Sequence, residues 1–138
     1  MIPTPSQTVG PFFGFALTPI EHPGDAIRVE GQVLDGAGAA VSDALLEVSD
    51  GEHFARCRAD EEGAFHFFAC RAPFLTITVF ARGLLRHLNT RMYFPGDEAA
   101  VPAEVEAGRR RTLVAQQEGD VLRFDIRLQG DGETVFFV

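Results

Sequence analysis

Phe74-Leu75-Thr76-Ile77-Thr78-Val79-Phe80 is the stretch on which the fold turns. Four β-branched residues stand in a row from Thr76 to Val79 between aromatic ends. Such side chains are stiff at χ1 and suit a pleated, half-buried surface better than a helix, so the segment reads as a strand. Arg82-Gly83 interrupts it, and extended character resumes from Leu84 to Phe94 until Pro95-Gly96-Asp97 ends it.

Strands and turns alternate on both sides of this stretch. Ile27 to Leu34 alternates apolar and polar residues and stops at Asp35-Gly36-Ala37-Gly38. Ala44 to Val48 reads as a strand closed by Asp50-Gly51, and His53 to Arg58 and Ala64 to Cys70 flank Asp60-Glu61-Glu62-Gly63, which predicts a hairpin loop. Further on, Val121 to Leu128 reads as a strand, and Glu133 to Val138 as a final one after Gly130-Asp131-Gly132. Helical character is confined to Glu98 to Ala115, where Pro102 and Gly108 limit it to one or two short pieces. Many short strands with almost no helix predict an all-β fold, a β-sandwich or barrel.

The first residues are of another kind. Pro3, Pro5, Pro11, Pro19 and Pro23 remove backbone donors and fix φ, so residues 1–26 should run as an extended arm that lies against something else. Residues 27–138 then form a single β-sandwich domain.

Composition excludes several classes of function. The chain has 138 residues, 46% of them apolar, and a formal net charge of -8. That size supports a real core, and that charge argues against affinity for nucleic acid or anionic membranes. The N-terminus has neither a charged nor an apolar signal-like region, and no apolar stretch is long enough to span a bilayer, so a cytoplasmic location is expected. Cys57 and Cys70 fall on strands expected to be neighbours, which leaves a bridge between them open; without a CxxC pair or an export signal, free buried thiols are the expected state.

The chemistry-bearing residues form no complete catalytic set. His22, His53, His66 and His87 lack ligand-like spacing, no carboxylate pair stands out, and no serine sits in a nucleophile elbow. His66 alternates with Phe65 and Phe67 and should face solvent or a partner.

Three segments nevertheless carry a resemblance. Thr4-Pro5-Ser6-Gln7-Thr8-Val9-Gly10-Pro11-Phe12, the run Phe80-Ala81-Arg82-Gly83 through His87-Leu88-Asn89-Thr90-Arg91-Met92-Tyr93-Phe94, and Arg123-Phe124-Asp125-Ile126-Arg127-Leu128-Gln129-Gly130-Asp131-Gly132-Glu133-Thr134-Val135-Phe136-Phe137 occur in order along the chain. Together they resemble the alpha subunits of protocatechuate 3,4-dioxygenases, members of the intradiol ring-cleavage dioxygenase family. The resemblance implies a β-sandwich of the intradiol dioxygenase (prealbumin-like) type. It further implies an iron-free alpha-type subunit, not catalytic alone, joined to a homologous iron-bearing beta subunit. There Fe(III), held by two tyrosinates and two histidines, would support cleavage of 3,4-dihydroxybenzoate with O₂ to 3-carboxy-cis,cis-muconate.

Counting agrees with the iron-free role, because Tyr93 is the chain's single tyrosine and Phe74-Leu75-Thr76 stands where the catalytic subunit's His-x-His should fall. The chain is thus expected to bind no metal and hold no catalytic residue by itself. The resemblance places Thr8, Gly10, Pro11, Phe12 and Arg82 in the lining of the shared pocket for a catechol-type substrate and O₂. Gly10 would let the backbone approach the aromatic ring, Pro11 would fix the arm's direction, and Arg82 would pair with the substrate carboxylate. The chain departs from the pattern in shorter stretches between Leu17 and Ile27, Val48 and Phe65, and Phe68 and Phe74. Phe12 stands where the family has tyrosine, and Ser49 where it commonly has tryptophan. The alternative is a non-enzymatic β-sandwich binding or scaffold protein derived from the same fold.

Overall fold

The computed structural model describes residues 26–130 and 132–137. Its strands are β1 (Ile27–Leu34), β2 (Leu45–Ser49), β3 (Phe54–Arg58), β4 (Ala64–Ala69), β5 (Leu75–Phe80), β6 (Leu88–Met92), β7 (Gln116–Glu118), β8 (Val121–Arg123) and β9 (Ile126–Arg127). Two 3₁₀ helices, Glu98–Ala100 and Ala107–Leu113, fill the interval between β6 and β7. One sheet has the order β4-β1-β8-β7, with β9 also on β1, and the other has the order β3-β2-β5-β6. No helix among the described residues is long and apolar enough to cross a membrane.

Alternation along the strands builds the core. Val29, Val33, Phe65, Phe67, Leu122 and Ile126 point inward from the first sheet, and Leu46, Val48, Leu75, Ile77, Val79 and Met92 meet them from the second. Each such side chain contributes about 1.5–3 kcal/mol by leaving water. His66 lies between buried Phe65 and Phe67 on the outward, half-buried face.

At the centre, β1 carries Gly31. A Cβ there would lie 1.8 Å from the Phe124 carbonyl oxygen and 2.8 Å from Phe65 Cζ, so the position requires glycine for space. The Phe124 amide donates to the Glu30 carbonyl at 2.8 Å, and the Gln32 amide donates to the Asp125 carboxylate at 2.9 Å. Asp125 thereby interrupts the ladder, which resumes with Val33 opposite Ile126. This corrects the single strand expected from Val121 to Leu128: it is split into β8 and β9.

Other boundaries shift for similar local reasons. Of the extended stretch expected from Leu84 to Phe94, only Leu88–Met92 pairs as a strand. Among residues 133–137 no regular strand forms; Phe137 makes a lone bridge to Asn89. The expected hairpin between β3 and β4 is instead a corner between sheets, since β3 pairs with β2 and β4 with β1. Asp60 accepts the amides of Glu62 at 2.8 Å and Ala64 at 2.9 Å, and the Gly63 carbonyl accepts the Val33 amide at 2.8 Å, which draws the chain across to β1.

The two sides of the sandwich close differently. Beyond β6, Tyr93 donates its amide to Leu113 at 2.7 Å and accepts the Ala115 amide at 2.9 Å, tying the continuation of β6 to the approach of β7. A second apolar cluster of Tyr93, Val101, Val105 and Leu113 lies beside this link. Arg110 braces the first 3₁₀ helix by donating to the carbonyls of Val101 at 2.8 Å and Pro102 at 2.9 Å. Residues 133–137 form a strap over the same side. Thr90 donates to the Val135 carbonyl at 2.8 Å, the Phe137 amide to Asn89 at 2.7 Å, and Arg109 to the Glu133 carbonyl at 3.1 Å. The Arg91 guanidinium completes the strap, 4.7 Å from the Phe74 ring centroid and 4.5 Å from that of Phe137. On the opposite side β3 and β4 are edge strands, each with one pairing neighbour among the described residues.

Candidate functional site

β5 runs outward from the buried Leu75 to Phe80, whose ring is 37% exposed at the strand's end. The chain then turns, with the Leu84 amide donating to the Ala81 carbonyl at 3.2 Å. Gly83 has φ +85 and open space around its Cβ position, so glycine serves the left-handed backbone here and not a close contact. Arg82 sits in this turn, exposed, and forms no hydrogen bond or ion pair with any described residue. After it come Leu85, at 101% exposure, then exposed Arg86 and His87. The His87 ring lies 5.4 Å from that of Phe80. Arg82 is thus lifted off the regular sheet on a short turn between two paired strands. A guanidinium held there is free to make a charge-assisted contact with a carboxylate.

Of the residues expected to line the pocket, Arg82 falls among the described residues; Thr8, Gly10, Pro11 and Phe12 lie outside them. The full exposure of Leu85 was not legible from the sequence.

The described residues do not fit a ferric site of tyrosinates and imidazoles. Among them, no group of three or more His, Cys, Asp or Glu side chains is placed to hold a metal ion. His53 lies in the turn before β3 with its Nδ1 2.9 Å from Asp50, His66 is on β4, and His87 is in the β5–β6 turn. Tyr93 is 1% exposed, its ring 5.5 Å from that of Phe74 and its hydroxyl accepting a hydrogen bond from Arg91 at 3.2 Å. At the triplet expected opposite a His-x-His, Phe74 is half-buried against Arg91, Leu75 is in the core, and Thr76 donates to the Ser49 carbonyl at 3.2 Å.

Nor does a nucleophile emerge. Burial pushes the Cys57 thiol up to about 12, so it stays protonated and inert at neutral pH. Cys57 and Cys70 form no disulfide, and β3 and β4, on which they were expected to be neighbours, belong to different sheets. Burial, aided by the positive Arg28, lowers the pKa of His66 and favours its neutral form.

No family model matches the chain. It is 35% identical over 189 aligned positions to the protocatechuate 3,4-dioxygenase alpha chain of Burkholderia cepacia, covering 97% of this chain and 96% of that one. The corresponding alpha chain of Pseudomonas putida is 34% identical over 194 positions, covering 97% and 95%. Alignments longer than the 138-residue chain require gaps on its side, in keeping with its short connections. Among solved structures, the dioxygenase domain of a dioxygenase carbohydrate-binding protein fusion from Streptomyces sp. SirexAA-E superposes with a TM-score of 0.60 at 20% identity, over 80% of this chain and 83% of that one. Hydroxyquinol 1,2-dioxygenase from Pseudomonas putida DLL-E4 gives 0.60 at 17% identity, over 78% and 57%. At these identities the structures establish the shared β-sandwich fold.

Proposed function

The chain belongs to the protocatechuate 3,4-dioxygenase alpha-chain family of intradiol ring-cleavage dioxygenases, and from this we propose that it is the iron-free half of a two-subunit site. The observation that carries the reading is the commitment of the chain's single tyrosine to its core. Tyr93 is buried among Phe74, Val101 and Leu113 and bonded to Arg91, so a subunit of a tyrosinate-ligated enzyme needs its metal ligands from another chain.

In this reading a homologous beta subunit holds Fe(III), which supplies activation of the catecholic substrate toward O₂. This chain's contribution is recognition. Arg82 points its cation at the carboxylate of 3,4-dihydroxybenzoate, and the stretch Thr8, Gly10, Pro11 and Phe12 walls the ring. The ring bond between the two hydroxyl-bearing carbons opens, and both atoms of O₂ enter the product 3-carboxy-cis,cis-muconate. The boundary between the arm, residues 1–26, and the sandwich domain, residues 27–138, belongs to the same proposal.

The test compares two substrates on one variant of the assembled enzyme. A charge-assisted hydrogen bond is worth about 1.5–3 kcal/mol, roughly ten- to a hundred-fold in binding. Arg82→Ala should therefore lower kcat/KM for 3,4-dihydroxybenzoate by about that factor and leave catechol, which lacks the carboxylate, nearly unchanged. Equal effects on both substrates remove Arg82 from the pocket. If no complex forms with an iron-bearing homologue, the binding or scaffold alternative, favoured by the shortened connections, replaces the enzymatic reading.

A further inference from the structure

Residues 81–87, which present Arg82, leave β5 and return to β6 with little of their own to hold them. Below them the pairing is regular: Thr78 stands opposite Asn89 and Val79 opposite Leu88, and the Thr78 hydroxyl donates to Asn89 Oδ1 at 3.0 Å. Within the excursion the Leu84 amide donates to the Ala81 carbonyl at 3.2 Å, and no side chain from Arg82 to Arg86 forms a hydrogen bond or ion pair with any described residue. Ala81 packs on the core, but Arg82, Gly83, Leu85 and Arg86 are exposed. One further contact closes the excursion. Phe80 and His87 stand one step beyond the last paired rung, their ring centroids 5.4 Å apart and their planes tilted by 46°.

A tilted ring pair is favourable beyond the area it covers. The plain account is that His87 shields a phenylalanine that is 37% exposed. Many side chains could do that, whereas this pair sits where the two ends of the excursion meet, two residues before Arg82 on the outgoing side. The contact between the rings therefore sets the angle at which the chain leaves Phe80, and a long side chain magnifies that angle at its guanidinium. Recognition by a rigid fork of donors depends on such placement, because a shift of about an ångström removes much of the gain from an oriented contact.

Resting on the reading that Arg82 meets the substrate carboxylate, we infer that His87 is a positioning residue for Arg82. Its ring, held against Phe80, clamps the base of the excursion and fixes the direction in which the guanidinium is presented. The contribution is that of a ring and not of a proton donor, since His87 forms no hydrogen bond or ion pair with any described residue. His87 and Phe80 thus act on the choice between substrates that do and do not carry a carboxylate, and only through Arg82.

Steady-state kinetics of the assembled enzyme on 3,4-dihydroxybenzoate and on catechol test this. His87→Ala should lower kcat/KM for 3,4-dihydroxybenzoate by about three- to ten-fold, through KM with kcat nearly unchanged, and leave catechol within about two-fold. Phe80→Leu, which removes the other ring, should show the same selective loss. His87→Phe keeps a ring without an imidazole and should restore kcat/KM to within about two-fold of wild type. In an Arg82→Ala background, His87→Ala should change neither substrate further, the non-additivity expected of two residues acting as one unit. Equal losses on both substrates, no loss on either, an undiminished loss on top of Arg82→Ala, or no rescue by His87→Phe overturns the role of His87 while a selective Arg82→Ala leaves the carboxylate reading standing. An Arg82→Ala variant that does not discriminate between the substrates, or a wild-type chain that does not assemble with an iron-bearing homologue, overturns the reading beneath it and the inference with it.

Discussion

Along the side where β6 approaches β7, backbone hydrogen bonds, a second apolar cluster and the strap at residues 133–137 join the two sheets; along the side of β3 and β4, the sheets end in edge strands linked by the chain's corner at residues 59–63. The same residue type shows the difference. Arg91 is held between the Phe74 and Phe137 rings with Tyr93 oxygen as acceptor, whereas Arg56 on β3, 47% exposed, lies over the single exposed Phe54 ring at 5.6 Å and reaches Glu47 at 2.7 Å. A half-buried cation stacked between two rings stabilises the fold, while one at an exposed edge is screened and contributes little. One side is thus built for cohesion, and the other is finished by solvent.

Three substitutions probe this contrast. Arg91→Ala should cost the most, about 2–3 kcal/mol in urea unfolding, because two ring contacts and one hydrogen bond are lost together. It should also speed proteolysis within residues 133–137, and a cost no greater than that of Arg56→Ala would break the contrast. Asp50→Ala, in the turn that leads into β3, should cost about 1 kcal/mol, as loss of a capping side chain does. Burial raises the Asp50 pKa, but the His53 amide at 2.6 Å, the His53 ring and the Glu52 amide at 2.8 Å outweigh it and hold the carboxyl below its usual range. A depressed folded pKa contributes stability that is present above the unfolded pKa and lost as pH falls through the folded one. The gap between wild type and Asp50→Ala should therefore be full at neutral pH and shrink on acidification, followed by thermal unfolding across the acid range. Arg56→Ala should cost least, about 0.5 kcal/mol or below, and less again at high salt.

The open side was the more legible from sequence. β1 falls on the expected Ile27 to Leu34, and β2 to β5 lie within a residue of their expected bounds, because alternation and glycine turns write such strands directly. What the alternation hid was partnership: the corner at residues 59–63 has hairpin composition, yet Gly63 docks on Val33 and sends the chain to the other sheet. The closed side was obscure because side chains build it. Arg91, Arg109, Arg110, Thr90 and Thr112 supply contacts that replace a regular ladder over the strap, and β7, Gln116–Glu118, is wholly polar and exposed. Of the candidate site, the exposed turn around Arg82 followed from its glycine and the end of the β-branched run. The bare Leu85 did not, since exposure of one loop residue leaves no periodic trace.

Gly31 has a consequence for how this sequence can change over generations. An added methyl group would have to push the Phe124 carbonyl back by more than an ångström and move the Phe65 ring too. That displacement would pull on the Phe124-to-Glu30 and Gln32-to-Asp125 bonds, which set where β8 stops and β9 starts. Position 31 therefore cannot drift alone: a substitution there is open only to a lineage in which the path of residues 124–125 has already been rerouted.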